Sequence, residues 1–322
     1  MARFNVVVTD DRHQGSYEIE SSVLQSVGAE LAIYDFKTAE QAVEVLCEAD
    51  AVLSNLATIS AEVINSMNRC QVISRYGVGY DNVDVDAATE KGIWVANVPD
   101  YAVEDVSDHA LALLMACVRK IPYRDRGIRD GRWNWPHDQP MYRVKDRGLG
   151  LIGFGAIAKA LRRKVSGLGL SHILGFDPYV DEATWNEHQV ESVTLEELLR
   201  SSDYISIHAP LTDDTQKMIS ADQVKIMKDD AILINTSRGG LLDQEVVTKA
   251  LSNGKLGCAG LDVFQEEPLP KYSQLRNLEN VVLSDHAAWY SEQAVVELKT
   301  KVATNVVEVL QGNRPTYPVN EV

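Results

Sequence analysis

The sequence predicts an α/β protein built on parallel sheets, and three observations carry that prediction. Short apolar runs rich in Val, Ile and Leu alternate with helical patterns in two separate series. A glycine-rich turn, GLGLIGFGAIA at 148–158, joins one such run to a helical pattern. The chain has 322 residues, and domains usually run about 100–200, so two domains are expected.

The first series places strands at Phe4–Thr9, Leu31–Tyr34, Ala51–Ser54, Val72–Ser74 and Ile93–Asn97. Helices are expected near 18–27, 38–47, 60–67 and 84–91, with Gly28 and Gly92 at C-cap positions. Repeated βαβ units imply a parallel sheet covered by helices. A long helix is expected over Val103–Arg119. Its sequence starts acidic and ends basic, as the helix dipole favours, and its centre is apolar nearly all round, which predicts burial. Residues 122–147, including GRWNWPHDQP, show no period and read as an irregular connection.

The second series places strands at Leu149–Ile152, Ile173–Phe176, Tyr204–His208, Ala231–Asn235, Cys258–Val263 and Val281–Leu283. Helices are expected near 156–166, 194–200, 220–227 and 243–252. A last helix over 291–311 carries Val295, Leu298, Val302, Val306 and Val309 on one face, with Ser291 as a possible cap and Gly312 after its end.

Composition narrows the function classes. Hydrophobic residues make up 45% and charged residues 24%, as in ordinary globular proteins. The net charge is −16, and the densest basic patch, Arg124 to Arg132, is broken by Asp125 and Asp130. A nucleic-acid binder needs a basic face, so direct binding of nucleic acid is not expected. Cys47, Cys70, Cys117 and Cys258 have no CxxC spacing and read as reduced core cysteines of a cytoplasmic protein. The N-terminus lacks the apolar core of a signal peptide, and no run approaches a membrane span. No metal-ligand spacing and no GxSxG or Cys/His nucleophile arrangement is visible, so no metal is expected.

Gly153-x-Gly155-x-x-Ala158 fits a dinucleotide-binding turn. Gly153 permits a tight turn, Gly155 lets backbone approach a pyrophosphate, and Ala158 allows close helix–strand packing. The helix N-terminus supplies N–H groups to the phosphates. Asp177, 22 residues after Gly155, can accept the adenosine ribose hydroxyls, and its charge favours NAD over NADP. Three more segments stand at strand ends: LINTSRGG, GLDVFQEEPLP and LSDHAAWYSE. Ligands bind beyond the carboxyl ends of such strands, so Arg238, Glu267 and His286 are expected to converge on the reactive end of the cofactor.

Together with SRYGVGYDNVDVDAA, these segments make the whole chain resemble the D-isomer-specific 2-hydroxyacid dehydrogenase family. HAAWYSEQ and VEDVSDHA are most similar to its C-terminal binding protein branch, NAD-dependent dehydrogenases known in animals as corepressors. The resemblance implies a flavodoxin-like substrate domain, 1–100 plus 290–322, with an inserted Rossmann NAD-binding domain, 101–289. It implies that Arg238 orients the 2-oxo acid. His286 is then the general acid, and Glu267, five residues after Asp262, pairs with it and raises its pKa. Backbone N–H groups around Val78 and Gly79 would receive the substrate carboxylate, and Tyr76 would also contact the substrate. Asp262 would hold the nicotinamide carboxamide, and His208, Ala209 and Pro210 would line the nicotinamide. Ala156, Ile157, Thr215, Thr236, Ser237, Arg238 and His286 complete the implied cofactor contacts. Trp289 is left open between walling the substrate pocket and hinge packing.

The resemblance also implies a homodimer across helix 103–119 and closure of the 77–80 loop over the substrate. Asp285 departs from the family's usual proline. No amino-acid-binding regulatory domain is expected. His13, His109, His137, His172 and His188 read as structural or solvated. The expected activity is reduction of a 2-oxo acid or its reverse. The alternatives are a phosphoglycerate or glyoxylate/hydroxypyruvate dehydrogenase, or an NAD(H)-sensing corepressor-like scaffold.

Overall fold

The computed structural model describes residues 3–11, 16–133 and 140–322. The chain divides into two compact units, Met1–Ala102 with Ser291–Val322, and Val103–Tyr290.

The first unit holds β1 (Phe4–Val8), α1 (Glu18–Leu24), β2 (Ala29–Ile33), α2 (Ala39–Leu46), β3 (Ala51–Ser54), α3 (Ala61–Ser66), β4 (Val72–Arg75), α4 (Val85–Glu90) and β5 (Trp94–Ala96). Its strands form one parallel sheet in the order β2-β1-β3-β4-β5, the flavodoxin-like order. Val6, Val7 and Val8 are buried on both faces, which explains the unbroken apolar run. The helices start where polar side chains take their first N–H groups: Thr38 accepts from Gln41, Ser60 from Val63 and Asp84 from Ala87. Val52, Ile64, Ile73 and Val95 are part of one core cluster.

The second unit holds α5 (Val103–Arg119), α6 (Ile121–Arg129), β6 (Gly148–Ile152), α7 (Ala156–Lys164), β7 (His172–Phe176), α8 (Glu182–Glu187), β8 (Glu191–Ser192) and α9 (Leu195–Ser201). It continues through β9 (Tyr204–Ile207), α10 (Ala221–Ile226), β10 (Ala231–Asn235), α11 (Gln244–Ser252), β11 (Leu256–Leu261) and β12 (Val281–Leu283). The parallel sheet runs β12-β11-β10-β9-β6-β7-β8, so strand order reverses beside β6. That is the doubly wound topology, with its ligand crevice at the carboxyl ends of the strands. The chain then returns to the first unit through α12 (Glu292–Leu310), whose first turn Ser291 caps by accepting the Ala294 N–H. Asn305 is fully buried and ties α12 to the sheet by donating to the Asn97 carbonyl at 3.0 Å.

Two expectations change. Residues 122–147 are not wholly irregular, because α6 forms across 121–129. None of its residues is buried, so no apolar stripe announced it. Pro122 near its start and the Asp125–Arg129 pair at 2.8 Å support it instead. The long helix α5 is buried along one stripe, through Ala110, Leu113, Leu114, Cys117 and Val118, while Leu111, Met115 and Ala116 stay half-exposed. His13, His137 and residues 134–139 of the GRWNWPHDQP segment lie outside the described residues.

Candidate active site

The glycine turn follows β6. Gly153 has φ 82°, and a Cβ there would stand 2.7 Å from the Ala209 nitrogen and the His208 carbonyl carbon. Only glycine fits, on conformation and on space. A Cβ on Gly155 would meet nothing within 4 Å. That open cradle lies at the N-terminus of the nine-residue α7, where a pyrophosphate would be received. Ala158 is fully buried and packs α7 onto the sheet, while Gly155 and Ala156 are exposed and Ile157 is half-buried. Asp177 closes the turn. Its Oδ2 accepts the Phe154 N–H and its Oδ1 the Tyr179 N–H, both at 2.9 Å. The residues present therefore fit a dinucleotide.

His208 follows β9, and its N–H donates to the Ile152 carbonyl at 2.6 Å. Its Nε2 lies 2.9 Å from Ser206 Oγ, whereas Nδ1 is buried with no partner among the described residues. Burial pushes the ring down to about 4, so it is neutral at pH 7. Ala209 is buried and Pro210 exposed. Thr215 Oγ1 donates to the Pro210 carbonyl at 2.7 Å and accepts the Thr212 N–H at 2.8 Å, which closes the 210–215 loop.

Beyond β10 the turn 235–238 is built by Asn235. Its Nδ2 donates to the Arg238 carbonyl at 2.8 Å and its Oδ1 accepts the Ser237 N–H at 3.0 Å. Ser237 Oγ donates to the Ile207 carbonyl at 2.9 Å. Thr236 Oγ1 is buried with no hydrogen-bond partner among the described residues, as expected of a group that meets a ligand. Arg238 is half-buried, and its guanidinium donates to the Ser237 carbonyl at 2.9 Å. A Cβ on Gly239 would overlap the backbone at Phe264 and Gln265. That close approach brings the arginine turn against the loop that carries Glu267.

His286 Nδ1 and Glu267 Oε2 are 2.7 Å apart, and both side chains are about one-third exposed, at 32% and 30%. Glu267 Oε1 accepts the Phe264 N–H at 2.9 Å. Burial works to raise the Glu267 carboxyl. The hydrogen bond and charge of His286, the Phe264 amide and the Arg238 charge outweigh it and hold the carboxyl below its usual range. Glu266 instead has Tyr272 Oη at 3.5 Å. Asp262 is 1% exposed. Its carboxylate accepts Ser284 Oγ–H at 2.6 Å and the N–H groups of Ala287 and Ala288 at 2.9 and 3.0 Å. Asp285 is exposed. Trp289 is half-buried, edge-on to Tyr290 with ring centroids 5.7 Å apart.

Within the second unit the structure thus brings Arg238, Glu267 and Asp262 to neighbouring strand ends with His286. Tyr76, Val78 and Gly79 belong to the first unit, just after β4. The Tyr76 side chain does not face outward as a substrate contact would. It is 3% exposed, and its hydroxyl donates to Glu20 at 2.9 Å. Val78 is exposed, and Asn97 Nδ2 donates to its carbonyl at 2.7 Å. No group of three or more potential metal ligands exists among the described residues. Sequence reasoning missed Asn235, Ser284 and His109 as parts of the site's framework. An asparagine ending a strand before Thr-Ser-Arg-Gly-Gly is a readable turn signal, whereas Ser284 and His109 meet only in three dimensions.

The family described as D-isomer specific 2-hydroxyacid dehydrogenase, NAD binding domain, matches residues 111–288. A glyoxylate reductase of Korarchaeum cryptofilum is 42% identical over 284 residues, which is 87% of this chain and 85% of that protein. A D-3-phosphoglycerate dehydrogenase of Methanocaldococcus jannaschii is 35% identical over 317 residues, 98% of this chain but 59% of that longer protein. The crystal structure of the TT0316 protein from Thermus thermophilus superposes with a TM-score of 0.88 at 30% identity, covering 98% of this chain and all of that one. With its NAD-binding domain and the fold described above, this chain belongs to the D-isomer-specific 2-hydroxyacid dehydrogenases, oxidoreductases of 2-hydroxy acids.

Proposed function

We propose that the enzyme reduces a small 2-oxo acid to the D-2-hydroxy acid with NADH, or runs the reverse. The observation that carries this reading is the 2.7 Å pair between His286 Nδ1 and Glu267, beside the charge of Arg238. Bound NADH supplies the hydride that reaches carbon 2. Glu267 holds His286 through Nδ1, so Nε2 is the atom that gives a proton to the carbonyl oxygen. The Arg238 fork grips the carboxylate and carbonyl of the 2-oxo acid. Trp289 walls the substrate. The Gly155 cradle and Asp177 would hold the pyrophosphate and ribose, and Thr236 Oγ1, buried with no partner among the described residues, would supply a hydrogen bond to the cofactor.

Among substrates we favour the glyoxylate class over phosphoglycerate. The Korarchaeum relative named for glyoxylate is matched over most of its length. Arg75, the basic residue nearest the 76–80 loop, is 8% exposed and donates to the Tyr76 carbonyl, so it is not displayed as a phosphate site. A panel of 2-oxo acids assayed by loss of NADH absorbance tests the reading. Fastest turnover is expected with glyoxylate and hydroxypyruvate, and an inert panel would overturn it.

A second reading follows from HAAWYSEQ and VEDVSDHA: an NAD(H)-sensing, corepressor-like scaffold of the C-terminal binding protein branch. The half-exposed side of α5 suits a homodimer contact in either reading. NADH-dependent dimerisation with negligible turnover is the outcome that selects the scaffold. We place the protein in the cytoplasm, in keeping with its four unpaired cysteines.

A further inference from the structure

We propose that His109 and Ser284 are positioning residues that hold the His286 loop in its working conformation through Asp262. The proposal rests on the dehydrogenase reading of His286. That residue has φ 56°, in the left-handed region that side-chain-bearing residues seldom occupy. A conformation of this kind is strained and persists only when its surroundings impose it.

Asp262 does the imposing. It sits just past the end of β11, almost wholly buried. Its carbonyl accepts the His286 N–H at 2.8 Å. Its carboxylate accepts Ser284 Oγ–H and the Ala287 and Ala288 N–H groups on either side of His286. One buried carboxylate thus grips residues 284 to 288 as a unit.

His109, on α5, completes the grip from behind. Its Nε2 lies 2.9 Å from Ser284 Oγ and 3.6 Å from Asp262 Oδ1. A serine hydroxyl has one proton, and Ser284 gives it to Asp262. The contact with His109 therefore requires Nε2–H to donate to Ser284 Oγ.

The test uses the full-length protein carrying His109→Gln, His109→Met, Ser284→Ala or Ser284→Thr. Hydrogen exchange by mass spectrometry is read on peptides covering 284–290, beside steady-state kinetics and NADH binding by fluorescence. His109→Met keeps the length but lacks a donor, and Ser284→Ala removes the hydroxyl. Each should speed exchange in that peptide roughly tenfold and lower kcat roughly tenfold, with NADH affinity within about twofold. His109→Gln can donate from its amide and Ser284→Thr keeps the hydroxyl, so both should stay near wild type. Unchanged exchange in His109→Met and Ser284→Ala would overturn the proposal. So would a Gln variant as loose as the Met variant. If the wild-type enzyme turns over no 2-oxo acid, the dehydrogenase reading fails while the exchange measurement still decides the clamp.

Discussion

His286, Glu267 and His208 show how neighbours assign different tasks to titratable groups of one unit. His286 leans on a carboxylate at 2.7 Å, whereas His208 has its Nδ1 buried without a partner among the described residues. His286→Ala should lower kcat by roughly 10²–10⁴-fold, the usual worth of a general acid. NADH affinity measured by fluorescence should change little, and undiminished turnover would remove His286 from the mechanism. For His208, burial depresses the folded-state value to about 4 from an ordinary 6.5. The unfolded chain then binds the extra proton first, so stability is full above pH 6.5 and is lost as pH falls toward 4. The loss is up to about 3 kcal/mol at the low end. His208→Gln should flatten the acid side of the stability curve between those limits, as measured by urea unfolding at several pH values. A curve unchanged from wild type would mean the ring titrates normally. Glu267 works in the same direction: held below its usual range, it contributes stability above the ordinary carboxylate value that fades as pH falls through its folded value.

At the level of elements, the β6–turn–α7 unit separates two kinds of glycine that look alike in sequence. Gly153 is fixed by φ 82° and by backbone 2.7 Å from its absent Cβ, whereas Gly155 faces open space. Gly153→Ala should destabilise the protein by about 2–4 kcal/mol, from strain and overpacking together. Gly155→Ala should leave the melting temperature unchanged and weaken NADH binding, because its methyl occupies the cradle. Equal effects of the two variants on stability would refute the distinction. Most elements were legible because burial on both faces writes continuous apolar runs, as in Val6-Val7-Val8 and the fully buried Ala231–Asn235. α6 was not, since it buries none of its residues and rests on charge pairing and a proline start. Glu182–Glu187 and the two-residue β8 were missed too, being too short to show a period.

Across the whole molecule, the two units carry separate hydrophobic cores, one around Val52, Ile64 and Ile73 and others around Leu233, Leu256 and Leu151. Calorimetry should therefore resolve two transitions, and NADH should move the one belonging to the unit with the glycine turn. At about 100 times its dissociation constant NADH adds roughly 2.7 kcal/mol to that unit. A single transition, or an equal shift of both, would show that the units unfold together. The sequence by itself determined the alternation of strands and helices, the position of the glycine turn and the presence of an arginine, a glutamate and a histidine beyond three strand ends. Those are local properties, since apolar periodicity and turn chemistry are decided within a few residues. Only the tertiary structure decided which groups meet. It turned Tyr76 inward to Glu20, and assembled Asp262, Ser284 and His109 from two strand ends and a helix. Contacts between residues as far apart as 109 and 284 depend on strand order and register, and neither is written in any short stretch of the chain.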